Sequence, residues 1–588
     1  MDKNGVVIIG AGPAGLTAAY ELVLKGLRPT LLEKSQKPGG IARTEFYKGY
    51  GFDMGGHRFF TKIEKINQLW HEMLGQDFVR VGRISRIYYR GRFFKYPLSL
   101  SNALVNLGII ESTIIFASYL HSRIRPFARE ENFEQWVSNR FGHRLFNIFF
   151  KTYTEKVWGI PCREIRSDWA AQRIKGLSLM VAVVNALIHN QKAKTLIEEF
   201  FYPLKGPGMM WDQFVKAIDN SGGEILFHSE VTAIRHENNH LKSITYLDHG
   251  EEIERPLDHL ISSMPLPRLI SILEPAPPKE VVQAAQKLSF RSFILVGLII
   301  DKSALFPDQW IYIHNPDVKV GRIQNFKNWS AAMVPEEGKT SVGMEYFCTE
   351  NDHLWTLPDE ALTTLAAKEL SELGLASESH VVDAVVFRQA KAYPVYDYDY
   401  DLNLGIIKQY LASFDHLQSI GRNGMHRYNN MDHSMETGRL AARNILGEHH
   451  SLWEINEEDS YLEQEDGASV SSVLVGKIMK GAFARMDKIA FATATGSVLG
   501  ILMFLATLWL VIKGGNVVGP NLRLLGEYFK GYTVTVRGAF LAFGYSFLWG
   551  FLFGWLFAYI RNLILAYSIY HLKKKAEAIT LRDFFDQF

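Results

Sequence analysis

Only two cysteines, Cys162 and Cys348, occur in 588 residues, too few for a disulfide framework or a Cys-based zinc or iron–sulfur site. No metal is therefore expected, and such low cysteine use suits a reducing compartment. Charge of one sign is also lacking, with 64 Lys and Arg against 62 Asp and Glu. A nucleic-acid binder would show a basic face or stripe, so nucleic acid is not expected as a partner. The first residues, MDKNGVVIIGAG, lack the basic segment and sustained apolar run of an export signal. A body that starts folding at residue 5 on the cytosolic side is the expectation. No internal repeat or low-complexity linker is evident.

What is present is an apolar surplus with a definite location. The mean hydropathy of −0.04 is high for a purely soluble enzyme and low for a polytopic transporter. Between Lys488 and Lys513 lie 24 uncharged residues, and between Arg537 and Arg561 lie 23 more, ten of them aromatic. At about 1.5 Å per residue each exceeds a hydrocarbon core of about 30 Å. Two transmembrane helices, 489–512 and 538–560, are expected, with Gly550 and Gly554 as a small-xxx-small pair for close approach. Two spans return the chain to one side, so both flanks are expected to face the cytosol.

The N-terminal end carries a nucleotide signature. Val6-Val7-Ile8-Ile9 reads as a buried parallel strand running into Gly10-Ala-Gly12-Pro-Ala-Gly15 and a helical pattern. A second strand ends in Glu33, 18 residues after Gly15. In this setting Gly10 makes the turn, Gly12 admits a pyrophosphate, Gly15 allows helix–strand packing, and Glu33 takes ribose hydroxyls. The doublet Gly39-Gly40 with Arg43 resembles the FAD signature of the amine oxidase, desaturase and sugar mutase superfamily. Glu230-Val231 resembles its adenine-side strand. Gly421-Arg422 followed by Met431 and a helix resembles its C-terminal flavin segment.

Further segments narrow the resemblance. Gly55-Gly-His57-Arg-Phe-Phe60-Thr61, Phe94-Lys-Tyr96-Pro97, Tyr153-Thr-Glu-Lys-Val-Trp158-Gly159, Gly321-Arg322, Tyr393-Pro394 and Arg427-Tyr428-Asn-Asn430-Met431 follow in order. Together they resemble UDP-galactopyranose mutase from residue 5 to about 446. The resemblance implies a pyranose–furanose interconversion without net redox, with reduced FAD attacking the anomeric carbon through N5 while a phosphate departs. It implies Arg173 and Arg322 as phosphate-clamping guanidiniums and Tyr393, Tyr428 and Tyr202 as phosphate-binding phenols. Tyr153 and Trp158 would form the sugar wall, with His57 beside the flavin. Two positions depart from the pattern: Asn430 stands in place of an aspartate, and Phe60 in place of a second histidine.

The implied fold is α/β: a Rossmann-type FAD-binding domain, a helical substrate domain and an antiparallel sheet domain, followed by C-terminal transmembrane helices. The expected layout is 1–97 and 206–265 for FAD binding, 98–205 helical with an apolar insertion at 174–200, and 266–404 as substrate sheet. A flavin segment at 405–448, a linker at 449–488 and a membrane domain at 489–588 complete it. The mutase family is soluble, yet here the spans are joined by apolar stretches at 98–122, where Glu111 is the only charge, and in 174–200. Such stretches are either extra core or a surface that dips into lipid beside the site. A lipid-linked substrate such as polyprenyl-phospho-galactose, serving glycan biosynthesis, is the expectation. The alternatives left open are activity on UDP-galactose, a membrane-anchored oxidase or desaturase, and a flavin-binding assembly component without catalysis. No second nicotinamide signature is evident, so the reductant and the oligomeric state stay open.

Overall fold

The computed structural model describes residues 5–96, 100–167, 199–456, 486–514 and 519–585. The chain forms two compact units, Met1–Glu465 and Asp466–Phe588. Arg173 and nearly all of the 174–200 insertion lie outside the described residues.

The first unit is built on a five-stranded parallel sheet in the order Leu417–Ser419, His259–Ser262, Val6–Ile9, Thr30–Leu32, Glu224–Leu226. Both faces of its central strand are covered, so Val6 to Ile9 are all buried and apolar. The strand feeds the helix Pro13–Val23, whose Pro at the first position needs no amide partner. A Cβ on Gly15 would lie 1.9 Å from the Gly10 carbonyl oxygen, and one on Gly438 would lie 2.0 Å from that of Ala14. These two contacts let the first helix sit against its strand on one side and against the helix Met431–Ile445 on the other.

Seven strands make a second sheet: Val381–Pro394, Phe290–Ile300, Thr340–Cys348, Arg322–Asn325, Trp310–Ile313, Ser85–Tyr89 and Arg92–Lys95. All neighbours are antiparallel except Trp310–Ile313 and Ser85–Tyr89, which run parallel. Residues 85–95 thus belong to this sheet, whereas the sequence layout put them with the nucleotide part. A short strand pair carries no pattern of its own that says which sheet it will join.

Helices Leu100–Leu107, Ile109–Ile124, Phe133–Phe141 and Thr152–Trp158 form a third layer around Phe94, Phe133, Trp136, Phe146, Phe149 and Trp158. The apolar stretch 98–122 is broken at Gly108, whose φ of 87° separates the first two of these helices. On Ile109–Ile124 the core-facing positions are Ile115, Tyr119 and Ser122. Its opposite face carries Ile109, Ile110, Ile114, Phe116, Leu120 and Ile124, of which Ile109 is 84% exposed. Apolar side chains thus dominate its exposed side, with Thr113, His121 and Arg123 exposed among them.

The second unit pairs the helix Lys488–Lys513 with Val536–Phe585. Lys488–Lys513 and Val536–Leu563 are long and apolar enough to cross a membrane. They approach through small residues: a Cβ on Gly550 would lie 2.9 Å from the Gly496 Cα, and one on Gly554 3.0 Å from the Ala492 Cα. The Thr507 hydroxyl meets that of Tyr532, in the segment just before the second helix, at 3.0 Å, so these two buried polar groups satisfy each other.

Candidate active site

The glycine-rich turn is shaped for a pyrophosphate. Gly10 has φ 96°, and the direction of a Cβ on Gly12 is open, with nothing within 4 Å. Glu33 accepts from the Ala11 amide at 2.7 Å and from the Ser35 amide and hydroxyl at 2.8 and 2.7 Å. Its carboxylate is thereby fixed beside the turn with one lone pair to spare for a ribose. Gly40 stacks its backbone on this turn, since its Cβ would lie 3.4 Å from the Gly12 Cα. Arg43 binds the Gly40 carbonyl at 2.8 Å and Glu45 at 2.6 Å, which holds the doublet in place. Val231 is buried in the strand Ser229–Glu237.

At the other end, Arg322 of one strand faces Glu345 of the next across the sheet. Its Nε and Nη2 donate to the Glu345 carboxylate at 2.9 and 2.6 Å. Burial alone would lower the Arg322 pKa, but Glu345 outweighs it and holds the group well above its ordinary value. Gln324 donates to the other Glu345 oxygen at 2.5 Å. His57 lies nearby: a Cβ on Gly55 would be 3.4 Å from its Nε2 and 3.9 Å from the Arg322 Nη2. That Nε2 is 2.9 Å from the Met54 carbonyl. Burial, with Arg422 and Arg322 adding to it, pushes the His57 pKa down to about 4, so the ring is neutral at pH 7.

The wall is aromatic. Tyr393 and Tyr428 stack with centroids 5.8 Å apart, and the Arg422 guanidinium lies 4.6 Å over Tyr428. Arg422 is fixed by the Asn429 and Ala392 carbonyls at 2.8 and 3.2 Å. Trp158 meets Tyr428 at 6.4 Å. Tyr153 stacks on His314 at 5.0 Å and meets Tyr312 edge-on at 5.4 Å. Burial raises the Tyr153 and Tyr393 pKa values against the pull of Arg322, which keeps both phenols protonated as donors.

The Tyr153 to Trp158 run has a physical reason for its order. Lys156, between them, donates to the carbonyls of Asn315 and Val320 at 2.6 and 3.1 Å, which pins the helix to the sheet. Gly159 then ends it at φ 69°, and a Cβ there would strike Arg291 at 2.4 Å.

The fold brings His57, Tyr153, Trp158, Arg322, Tyr393, Arg422 and Tyr428 into one neighbourhood. Tyr202 stands differently from the expectation: it is fully buried and its hydroxyl donates to Asp53 at 2.5 Å, so that donor is spent inside the protein. Asn430 caps the helix Met431–Ile445 in a reciprocal box with His433, a job an amide does as well as a carboxylate. Met431, the first residue of that helix, packs in the nucleotide-side core. Sequence reasoning missed Glu345, Tyr312 and His314. Glu345 was findable, being the single charge in the strand TSVGMEYFC.

Residues 13–446 match the model of the flavin containing amine oxidoreductases, about three quarters of the chain. The chain belongs to this family. The flavin enzyme is also similar in fold to reduced UDP-galactopyranose mutase, with TM-score 0.68 and 24% identity over 77% of this chain and 97% of that one. An engineered putrescine oxidase superposes with TM-score 0.51 and 16% identity over 76% and 99%. Among curated proteins, the 1-hydroxycarotenoid 3,4-desaturase of a Flavobacterium is 23% identical over 261 residues, 41% of this chain and 53% of the desaturase. An L-amino acid oxidase of Crotalus durissus cumanensis is 47% identical over 61 residues, 10% of this chain and 12% of the oxidase. The chain thus spans about half the desaturase and far less of the oxidase. FAD is the cofactor, and the open cradle at Gly12 beside the fixed Glu33 carboxylate fits it.

Proposed function

We propose that this flavin enzyme is a membrane-bound sugar mutase that interconverts pyranose and furanose forms of a phosphate-linked sugar. The observation that carries this reading is the buried Arg322 beside neutral His57, walled by Tyr153, Tyr393 and Tyr428. A leaving phosphate needs a fixed cation, and a sugar ring needs flat apolar faces with phenolic donors. When bound and reduced, FAD supplies the nucleophile for the anomeric carbon. The protein's residues do the rest. Glu345 and Gln324 aim Arg322, whose Nη1 is left for the phosphate. Tyr393 and Tyr428 orient the anomeric end, and Trp158 closes the wall. Arg173, outside the described residues, is the second guanidinium of this reading.

The carrier is proposed to be a lipid phosphate, with the catalytic unit on the cytoplasmic side. Two features support it: the pair of helices able to span a bilayer and the apolar outer face of Ile109–Ile124. Exposed large apolar side chains clustered on one helix mark an interaction surface. Exposed Arg123, Arg125 and Arg129 follow that face, as expected where a helix meets anionic headgroups. The test is turnover by the full, dithionite-reduced protein in detergent, with UDP-galactose and polyprenyl-phospho-galactose offered separately. Furanose formation from the lipid-linked sugar is expected; conversion of UDP-galactose alone would remove the lipid carrier.

A second reading, net oxidation or desaturation, is favoured by the similarity to the carotenoid desaturase and amino acid oxidase. It predicts flavin reduction or oxygen uptake on adding substrate, which the mutase reading does not.

A further inference from the structure

Arg83 lies in the turn between the strands Phe78–Gly82 and Ser85–Tyr89. Its stem is part-exposed, but all three guanidinium nitrogens are buried and make no hydrogen bond. The guanidinium sits 5.4 Å from the Trp310 ring and 5.6 Å from the Tyr96 ring. The Trp310 Nε1 is also buried without a hydrogen-bond partner. A second cation, Arg58, lies 5.5 Å from the same indole.

Buried guanidiniums are normally satisfied, because an unmade charged hydrogen bond forfeits more than a neutral one. Most arginines of this region obey that rule, although Arg58 also keeps a buried Nη1 without a hydrogen bond. Arg322 has Glu345, Arg86 has Asp308 at 2.6 Å, and Arg291 has the Val157 carbonyl at 3.2 Å. Arg422 spends its donors on two carbonyls. Arg83 has aromatic faces only, and these supply neither a negative charge nor an acceptor oxygen. Arg83 and the Trp310 N–H thus bring unused donors together, with Arg58 as a second positive charge beside the same indole. Burial and the neighbouring Arg83 charge push the Arg58 pKa down to about 10, which an incoming anion would reverse.

The place adjoins the wall already described. Tyr96 meets Tyr312 at 4.8 Å, and Tyr312 meets Tyr153 at 5.4 Å. Arg322 enters that cleft with its charge already balanced by Glu345, so it offers geometry more than net charge. Arg83 offers both.

We propose that Arg83 and the Trp310 N–H, with Arg58 as a flanking charge, form an anion site for the phosphate of the sugar substrate. The chemical class is a phosphate ester, whether a nucleoside diphosphate or an isoprenoid phosphate. This rests on the phosphate-linked-sugar reading above, and the arms of the test separate the two.

The experiment uses the full FAD-loaded protein and its Arg83→Gln and Arg83→Lys variants, with flavin content as the folding control. Binding of inorganic pyrophosphate, UDP and geranylgeranyl phosphate is measured by calorimetry, and turnover on the preferred sugar phosphate by KM and kcat. Arg83→Gln is expected to weaken phosphate binding and raise KM roughly 10–100-fold, as for the loss of a charged hydrogen bond. The kcat should change less, and Arg83→Lys should recover part of the affinity. Preference for geranylgeranyl phosphate over UDP names the lipid source, and the reverse names the nucleotide. Lost anion binding without any sugar turnover would uphold the site and sink the mutase reading. Turnover with unchanged KM and unchanged anion affinity in Arg83→Gln would overturn the site and leave the mutase reading standing.

Discussion

At Gly15 and Gly438 backbone approaches backbone so closely that no side chain fits. At Gly10, held at φ 96°, a Cβ would meet the Ser263 hydroxyl at 2.3 Å, so the nucleotide end is shaped largely by close packing of the main chain. Around Arg322 the opposite holds. Its position is set by Glu345 and Gln324, and its surroundings by Tyr153, Tyr393 and Tyr428, drawn from separate strands, helices and loops. The first construction tolerates almost no substitution but specifies only a phosphate and a ribose. The second is replaceable residue by residue, and on the proposed reading each replacement changes what is bound or turned over. On that reading, cofactor identity and substrate identity are written in different parts of the molecule.

The harshest way to break this contrast is at Gly15. Valine there places a carbon within 2 Å of the Gly10 carbonyl, which no rotamer relieves. Gly15→Val is expected to yield protein with no visible flavin absorbance and a collapsed thermal midpoint. A flavin-replete variant would show that backbone approach is not what shapes this end.

Next in size is Arg322→Lys, which keeps a charge but loses the fork. Turnover is expected to fall roughly 10²–10³-fold with flavin content unchanged, the usual cost of one transition-state donor. Because Glu345 is fully buried, removal of its partner also costs stability. The double variant Arg322→Met with Glu345→Gln removes that charge as well. It should recover the thermal midpoint but not the turnover.

This contrast also explains what could be read in advance. The strand, the glycine turn and Glu33 lie within 28 residues, so local spacing carried the dinucleotide signature, while FAD itself and the segments around Gly40, Val231 and Arg422 came through resemblance. The clustering of His57, Tyr153, Arg322, Tyr393 and Tyr428 came only through family resemblance, since 371 positions separate the first from the last. Tyr202 shows the limit of that route. Its residue type matches a phosphate-binding role, yet its hydroxyl is committed to Asp53, a partner 149 positions away. Glu345 stands out in its strand, but its pairing with Arg322, like the setting of Arg83, depends on sheet register, which no local pattern encodes.

Asp53 gives a smaller effect that tests the boundary between the two ends. Burial pushes its pKa up to about 7 from an ordinary 3.8, although the Tyr202 and Thr44 hydroxyls at 2.5 and 2.7 Å pull it back. The folded protein therefore holds this proton at pH values where the unfolded chain has released it. Stability from this group is full below about pH 4 and is lost as pH rises through about 7. Asp53→Asn cannot ionise, so its thermal midpoint should decline less between pH 5 and pH 8 than that of the parent. An equal decline in both would assign the slope to other groups.

The mildest test leaves catalysis alone and asks what covers the helix Ile109–Ile124. At about 1.5 Å per residue its 16 residues reach about 24 Å, short of a bilayer core of about 30 Å. Ile115 and Tyr119 also hold one face against the protein. A helix so placed can lie along an interface but cannot cross, unlike Lys488–Lys513. Cys162 and Cys348 are buried and their thiol pKa values raised by burial, so a nitroxide on Leu120→Cys labels selectively. In proteoliposomes of the full chain, its oxygen-over-nickel accessibility should fall between that of Trp509→Cys in the span and Lys242→Cys on the polar surface. A value equal to Lys242→Cys would mean that this apolar face meets water or protein, and the lipid-carrier proposal would lose its support from the catalytic unit.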